Sequence, residues 1–226
     1  MMPALLRTIA LLTALLLPAV AAASAPAETL LRYRAFVAGA PVGEAEVTVR
    51  VADGEYQVRG QASSNSFLSA FSPWRNAFAA TGRIDADGHA PAEFGYQERS
   101  GRDSRDVSAR DGEVLVIKNG RPRSQHPIPE GLDVVSALFV APGCDGDRVL
   151  HTGRHAYRLL HLAETDRGCR YRVSDEDDST FDVELSFGHR DGLRVPERIT
   201  VYAWVTGWVE LQPAPPQTTA ALRPKR

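Results

Sequence analysis

Beyond its first thirty residues the chain alternates apolar and polar residues with the two-residue period of a β-strand. In Glu44–Val51 (EAEVTVRV), Ala45, Val47, Val49 and Val51 take one face, and Glu44, Glu46, Thr48 and Arg50 take the other. That is the pattern of a strand with one side buried. The dipeptides Asp53-Gly54, Asp87-Gly88, Asp111-Gly112 and Asn119-Gly120 punctuate such segments, and residues of these types tolerate the backbone of a tight hairpin. The alternation predicts strands over 29–38, 44–51, 55–63, 74–84, 91–98, 104–110 and 113–118. A second group is expected over 147–151, 154–163, 168–173, 180–187, 193–205 and 207–212, the last two joined by a turn at Thr206-Gly207. The expected fold is mainly β, with about a dozen strands in a curved antiparallel meander sheet or an open β-barrel, and two short helices.

The helices are predicted where the period changes. Ser66–Ser72 brings Phe67, Leu68 and Phe71 together ahead of Pro73, and 131–140 (GLDVVSALFV) has Asp133 near its start and Pro142-Gly143 beyond its end. Phe67, Leu68, Phe71, Trp74 and Phe78 crowd into twelve residues, and Val134, Val135, Leu138 and Phe139 line the second helix. Two readings stay open. The helices plug the curved sheet, or they rim an apolar cavity that takes an amphipathic or lipidic molecule. On the second reading Phe67, Leu68, Phe71, Trp74, Phe78, Leu138 and Phe139 are the ligand-binding candidates. Trp204 and Trp208, at the last predicted turn, are either edge packing or an aromatic contact site for an envelope protein.

The ends of the chain change where this domain is expected to work. Arg7, an apolar run over 8–20 and the small residues Ala21-Ala22-Ala23 have the three parts of a cleavable secretory signal, cut before Ser24. The apolar run is too short for the ~20 residues of a spanning helix. The expectation is an exported, periplasmic protein that does not span the membrane: signal peptide 1–23, one β-rich domain 24–212, and a disordered Pro- and Thr-rich tail 213–226. Losing residues 1–23 removes one basic residue and no acid, so the net charge moves from −2 to −3. That balance argues against nucleic acid as a partner.

Candidate chemistry concentrates in 144–169, which holds both cysteines and His151, His155 and His161. Two cysteines in an exported chain predict one Cys144–Cys169 disulfide, contributing roughly 3 kcal/mol by closing its loop. His151 and His155 have the spacing of a helical metal pair, but Thr152-Gly153 between them reads as a turn. His155 and His161 lie about 20 Å apart along a strand. No metal site and no cofactor is expected. Asp175-Glu176-Asp177-Asp178 lacks the spaced ligands of a calcium loop and reads as an exposed turn. The chain has no nucleophile elbow, HExxH, Ser-x-x-Lys or phosphate-binding loop, so no catalytic residue is assigned and an enzyme is not expected.

A series of short motifs resembles the bacterial envelope proteins grouped as domain of unknown function 3108. They run in order from Tyr33 with Pro41-Val42-Gly43, through Gly54-Glu55-Tyr56, Phe67–Phe71, Thr81-Gly82 and Ala90–Phe94. Asn119-Gly120, Asp133–Ser136, Gly153-Arg154 with Tyr157, Val195-Pro196 and Gly207 complete the set. The resemblance spans roughly Tyr33 to Leu211 and implies an antiparallel β-rich fold, loosely similar to periplasmic carriers of the LolA and LolB half-barrel type. It brings no catalytic residue to any of these positions.

Overall fold

The computed structural model describes residues 28–65, 73–85 and 88–214. The N-terminal arm consists of β1 (Glu28–Val37), β2 (Ala40–Ala52), β3 (Glu55–Ser64), β4 (Trp74–Asp85), β5 (Gly88–Ser100), β6 (Asp103–Arg110), β7 (Glu113–Lys118) and β8 (Arg121–Pro127). A two-residue β9 (Leu132–Asp133) leads into the helix α1 (Val134–Phe139). The second arm is β10 (Arg148–His151), β11 (Ala156–Thr165), β12 (Gly168–Ser174), β13 (Thr180–Arg190), β14 (Leu193–Tyr202) and β15 (Thr206–Leu211).

All fifteen strands form one sheet in the order β8-β7-β6-β5-β4-β3-β2-β1-β15-β14-β13-β12-β11-β10-β9. Both arms are meanders, joined where β1 pairs with β15, Tyr33 lying opposite Leu211. β8 and β9 are the free edges, so the sheet is open and curved. The register explains why alternation specifies it. Thr29, Val49, Val58, Ala80, Phe94, Ala109 and Val114 lie opposite one another in a single row across seven strands. All seven are buried. A slip of one residue in any strand would turn its whole apolar set outward.

Only residues 128–131 connect the two edges, so the edges lie at most about 18 Å apart. The sheet therefore rolls, and β9 comes to rest against β5 rather than pairing with β8. Gly131 makes the crossing, at φ +98 and so close to the Val149 carbonyl that a Cβ would overlap it. α1 then lies inside the roll, touching β3 and β4 of one arm and β10 and β14 of the other. Asp133 caps it, its Oδ1 accepting from the Ser136 N–H at 2.8 Å.

Two apolar clusters result. Val135 and Phe139 of α1 join Leu31, Tyr33, Val47 and Val58, while Ala137 joins Leu150, Leu159, Tyr171 and Phe187. The Cys144–Cys169 disulfide, with Cα atoms 5.6 Å apart, ties the loop after α1 to the buried face of β12.

Several expectations need correction. Among the described residues there is one helix and not two; the predicted helix Ser66–Ser72, with Phe67, Leu68 and Phe71, lies outside them. The second predicted helix starts later, at Val134, because Leu132 and Asp133 pair with Leu150 and His151 as β9. The strand β8 went unpredicted: its sequence RPRSQHP has no alternation, because an edge strand needs no buried face and protects itself with proline and charge. The last hairpin turns at 203–205, with Tyr202 opposite Thr206, so Thr206 and Gly207 belong to β15. The proposed signal over 1–23 and residues 215–226 of the proposed tail also lie outside the described residues. No helix among the described residues is long and apolar enough to cross a membrane.

Candidate functional site

The sheet face turned away from the core carries a trough of about 580 Å³ across the N-terminal arm. Its register is the polar half of the same alternation. Leu30, Thr48, Arg59, Ala79, Gly95, Ser108 and Leu115 form one cross-strand row from β1 to β7, and Glu46, Gln61, Ala77, Gln97, Asp106 and Ile117 form the next. Side chains on a sheet stand roughly perpendicular to it, so small residues make a floor and large ones make walls. Here Ala77, Ala79, Gly95 and Ser108 are the floor, with Leu30 and Arg59 toward one end and Leu115 and Ile117 at the other. Leu30 is 51% exposed and Leu115 37%. Exposed aliphatic walls above a floor of small residues suit a ligand with an apolar part.

The charges along the trough are unevenly matched. Glu46 Oε1 accepts from Arg32 Nε at 2.9 Å, and Asp106 Oδ1 accepts from Arg99 Nη1 at 2.8 Å. Arg59 has no hydrogen bond or ion pair among the described residues.

Of the predicted ligand-binding residues, the four that are described, Trp74, Phe78, Leu138 and Phe139, turn their side chains to the opposite, core-facing side. Trp74 and Phe78 stand on β4, where the Trp74 ring covers Gly43 and the Phe78 ring covers Gly60. Phe78 and Leu138 pack against the same cluster that buries Phe139, which meets Tyr33 edge-on at 6.2 Å. The structure thus brings Phe78, Leu138 and Phe139 together, as packing around α1. Phe67, Leu68 and Phe71 lie outside the described residues.

The histidines separate into different settings. His155 is on the surface, 3.8 Å from Glu176, and His161 packs against the Tyr171 ring. His151 is buried against Phe94, and its Nδ1 accepts from the Gly153 N–H at 3.2 Å. It belongs to a buried polar group with Asp133, Ser136 and Tyr56. The Tyr56 and Ser136 hydroxyls are 2.9 Å apart, and Asp133 Oδ2 is buried without a partner among the described residues. Burial raises the Asp133 carboxyl, opposed by its bonds to Ser136 and by the charge of His151. Burial lowers the His151 imidazole, opposed by Asp133. The Ser136 side chain is wholly buried, closed to any substrate.

On the second arm the Trp pair divides. Trp208 lies half-buried, stacked on Phe36 at 5.0 Å, with the Arg198 guanidinium 5.0 Å from its ring. Trp204, at the hairpin tip, is 97% exposed. Sequence reasoning missed the trough because it searched the apolar face. The signal it could have used is small residues at outward positions, Ala77, Ala79 and Gly95, where strands of this kind carry long polar side chains.

Fold and site together define an open β-sheet, antiparallel except for the parallel β9–β10 pair, rolled about the one helix of the described residues, with a shallow apolar trough on its outer face. The family described as Protein of unknown function (DUF3108) matches residues 32–162, and the chain belongs to that family. Among solved structures, a β-barrel-like protein of domain of unknown function DUF1849 from Brucella abortus is similar at 10% identity. The similarity covers 83% of this chain and 95% of that one, with a TM-score of 0.39. No curated protein matches the chain.

Proposed function

We propose that the protein is an exported, non-catalytic binder of one amphipathic or lipidic molecule, carried in the outer trough of β1–β7. The observation that supports this is the combination of a small-residue floor, aliphatic walls at exposed Leu30 and Leu115 and half-buried Ile117, and a polar rim at Arg59, Gln61 and Gln97. A solvated sheet face with no ligand to accommodate has no need of Ala77, Ala79 and Gly95 side by side, since long side chains there would shield the backbone. The interior, by contrast, is occupied by α1. Native mass spectrometry of protein purified from the exporting cell, followed by organic extraction, tests the reading. A stoichiometric passenger is expected, lost in Gly95→Leu; a passenger retained by that variant would place binding elsewhere. N-terminal sequencing of the exported protein tests the route, with Ser24 expected as the first residue.

A second reading is favoured by Trp204. Four other tight hairpins carry an Asp-Gly or Asn-Gly pair at positive φ, at Asp53-Gly54, Asp111-Gly112, Asn119-Gly120 and Asp191-Gly192, whereas this tip is Ala203-Trp204-Val205. A fully exposed Trp is the residue type that anchors protein interfaces, so docking onto an envelope protein is the alternative. A photo-crosslinker at position 204 in living cells should give one discrete adduct; its absence removes this reading.

A further inference from the structure

We propose that the molecule held in the trough is an anionic single-chain amphiphile, with Arg59 as the anchor for its charged head. This rests on the trough reading above and adds the chemical class of the occupant. Among the described residues, three charged side chains line the trough: Glu46, Arg59 and Asp106. Each carboxylate is held by an arginine whose own residue lies outside the trough lining, Glu46 by Arg32 and Asp106 by Arg99. Among the described residues those pairs neutralise both acids and leave one lining charge without a partner, the guanidinium of Arg59. It is exposed, standing between Thr48 and Ala79 in the row, and all its donors are free for a carboxylate or phosphate, which guanidinium binds in a two-pronged fashion.

The long stretch of the apolar ground runs from Arg59 toward β7, with Leu30 alone on its other side, beyond Thr48. The row crosses Ala79, Gly95 and Ser108 to Leu115, with Ala77 and Ile117 beside it. From β3 to β7 is four strand spacings, about 19 Å, the reach of a long acyl chain lying across the strands. A head at one end and a greasy floor leading from it match one occupant: a carboxylate or phosphate on a single hydrocarbon chain. A neutral amphiphile would leave Arg59 unmatched, and a short free anion would leave the floor empty. Gly95 supplies the control. A Cβ there meets only the Val107 carbonyl at 3.8 Å, and its φ is not in the left-handed region, so a larger residue is accommodated and projects into the trough.

The experiment is calorimetric titration of the purified protein with oleate, dodecyl phosphate and uncharged monoolein, each below its aggregation concentration, and with acetate and inorganic phosphate as chainless anions. Oleate and dodecyl phosphate are expected to bind about tenfold more tightly than monoolein, the contribution of a charge-assisted contact. Arg59→Gln should erase that margin without weakening monoolein. Gly95→Leu, with an unchanged melting temperature, should abolish binding of all three. A preference for oleate alone or dodecyl phosphate alone identifies the head as carboxylate or phosphate. Equal binding of monoolein and oleate, with Arg59→Gln silent and Gly95→Leu disabling, overturns the anionic assignment and leaves the trough. Binding that survives Gly95→Leu, binding of the chainless anions, or no binding at all overturns the trough as well.

Discussion

The hydroxyls of Tyr56 on β3 and Ser136 on α1 lie 2.9 Å apart and share a hydrogen bond across 80 residues of sequence. Both side chains are buried, and the Ser136 N–H already holds the capping carboxylate of Asp133. This bond is the polar tie between the inner helix and the N-terminal arm. Tyr56→Phe would leave the Ser136 hydroxyl without its partner in the core, so a loss of about 1–3 kcal/mol in urea unfolding is expected. The double variant with Ser136→Ala should lose less than the sum of the two singles, because the partners are removed together. Strict additivity would show that the bond contributes nothing.

His151 should make stability depend on acidity. Burial holds its imidazole below the ordinary value of 6.5, with the Asp133 carboxylate pulling it partly back. The unfolded chain therefore takes up a proton near pH 6.5 that the folded chain refuses until lower pH, and stability falls as pH drops through that window. Asp133, raised by burial, works in the opposite sense: above 3.8 its contribution is lost as pH rises toward its folded value. His151→Asn keeps an acceptor for the Gly153 N–H but does not titrate. Wild type should lose melting temperature relative to this variant between pH 7.5 and about 5.5; a constant gap would acquit His151.

Reduction of the Cys144–Cys169 bond frees the loop after α1 from β12. The cross-link closes 25 residues of chain, so its removal is expected to cost roughly 3 kcal/mol. Thermal melts with and without reductant, alongside a Cys144→Ser/Cys169→Ser variant, measure it. Cys169 is wholly buried, so the serine variant should be at least as unstable as the reduced protein.

The two tryptophans of the last hairpin should behave differently. Trp204→Ser touches a side chain 97% exposed and is expected to change stability by less than about 0.5 kcal/mol. Trp208→Ala removes the ring that Phe36 and Arg198 cover, with an expected loss of about 2–4 kcal/mol. Equal effects in denaturant titration would mean that Trp204 is not the free tip described above.

Much of this fold was legible because strand alternation is a local property. The set Ala45, Val47, Val49 and Val51 in β2 announced its buried side, and Asp-Gly and Asn-Gly pairs marked the hairpins. The disulfide followed from having two cysteines. β8 escaped because proline and arginine at a free edge replace periodicity. The tip at Trp204 escaped because Thr206-Gly207 has the turn residues and Ala203–Val205 does not, while register with β1 is what drew Gly207 into the strand opposite Val37.

By itself, then, the sequence determined the mainly β architecture, the hairpin turns that make most of the meander, and which face of the alternating strands is apolar, all of which depend on near neighbours in the chain. Only the tertiary structure decided that β1 and β15 join the arms, that α1 fills the roll, and that Tyr56, Asp133, Ser136 and His151 meet. It also decided the trough, because a cross-strand row such as Arg59, Ala79, Gly95, Ser108 and Leu115 exists only once five strands are in register. Long-range pairing sets that row, and no short window of the chain contains it.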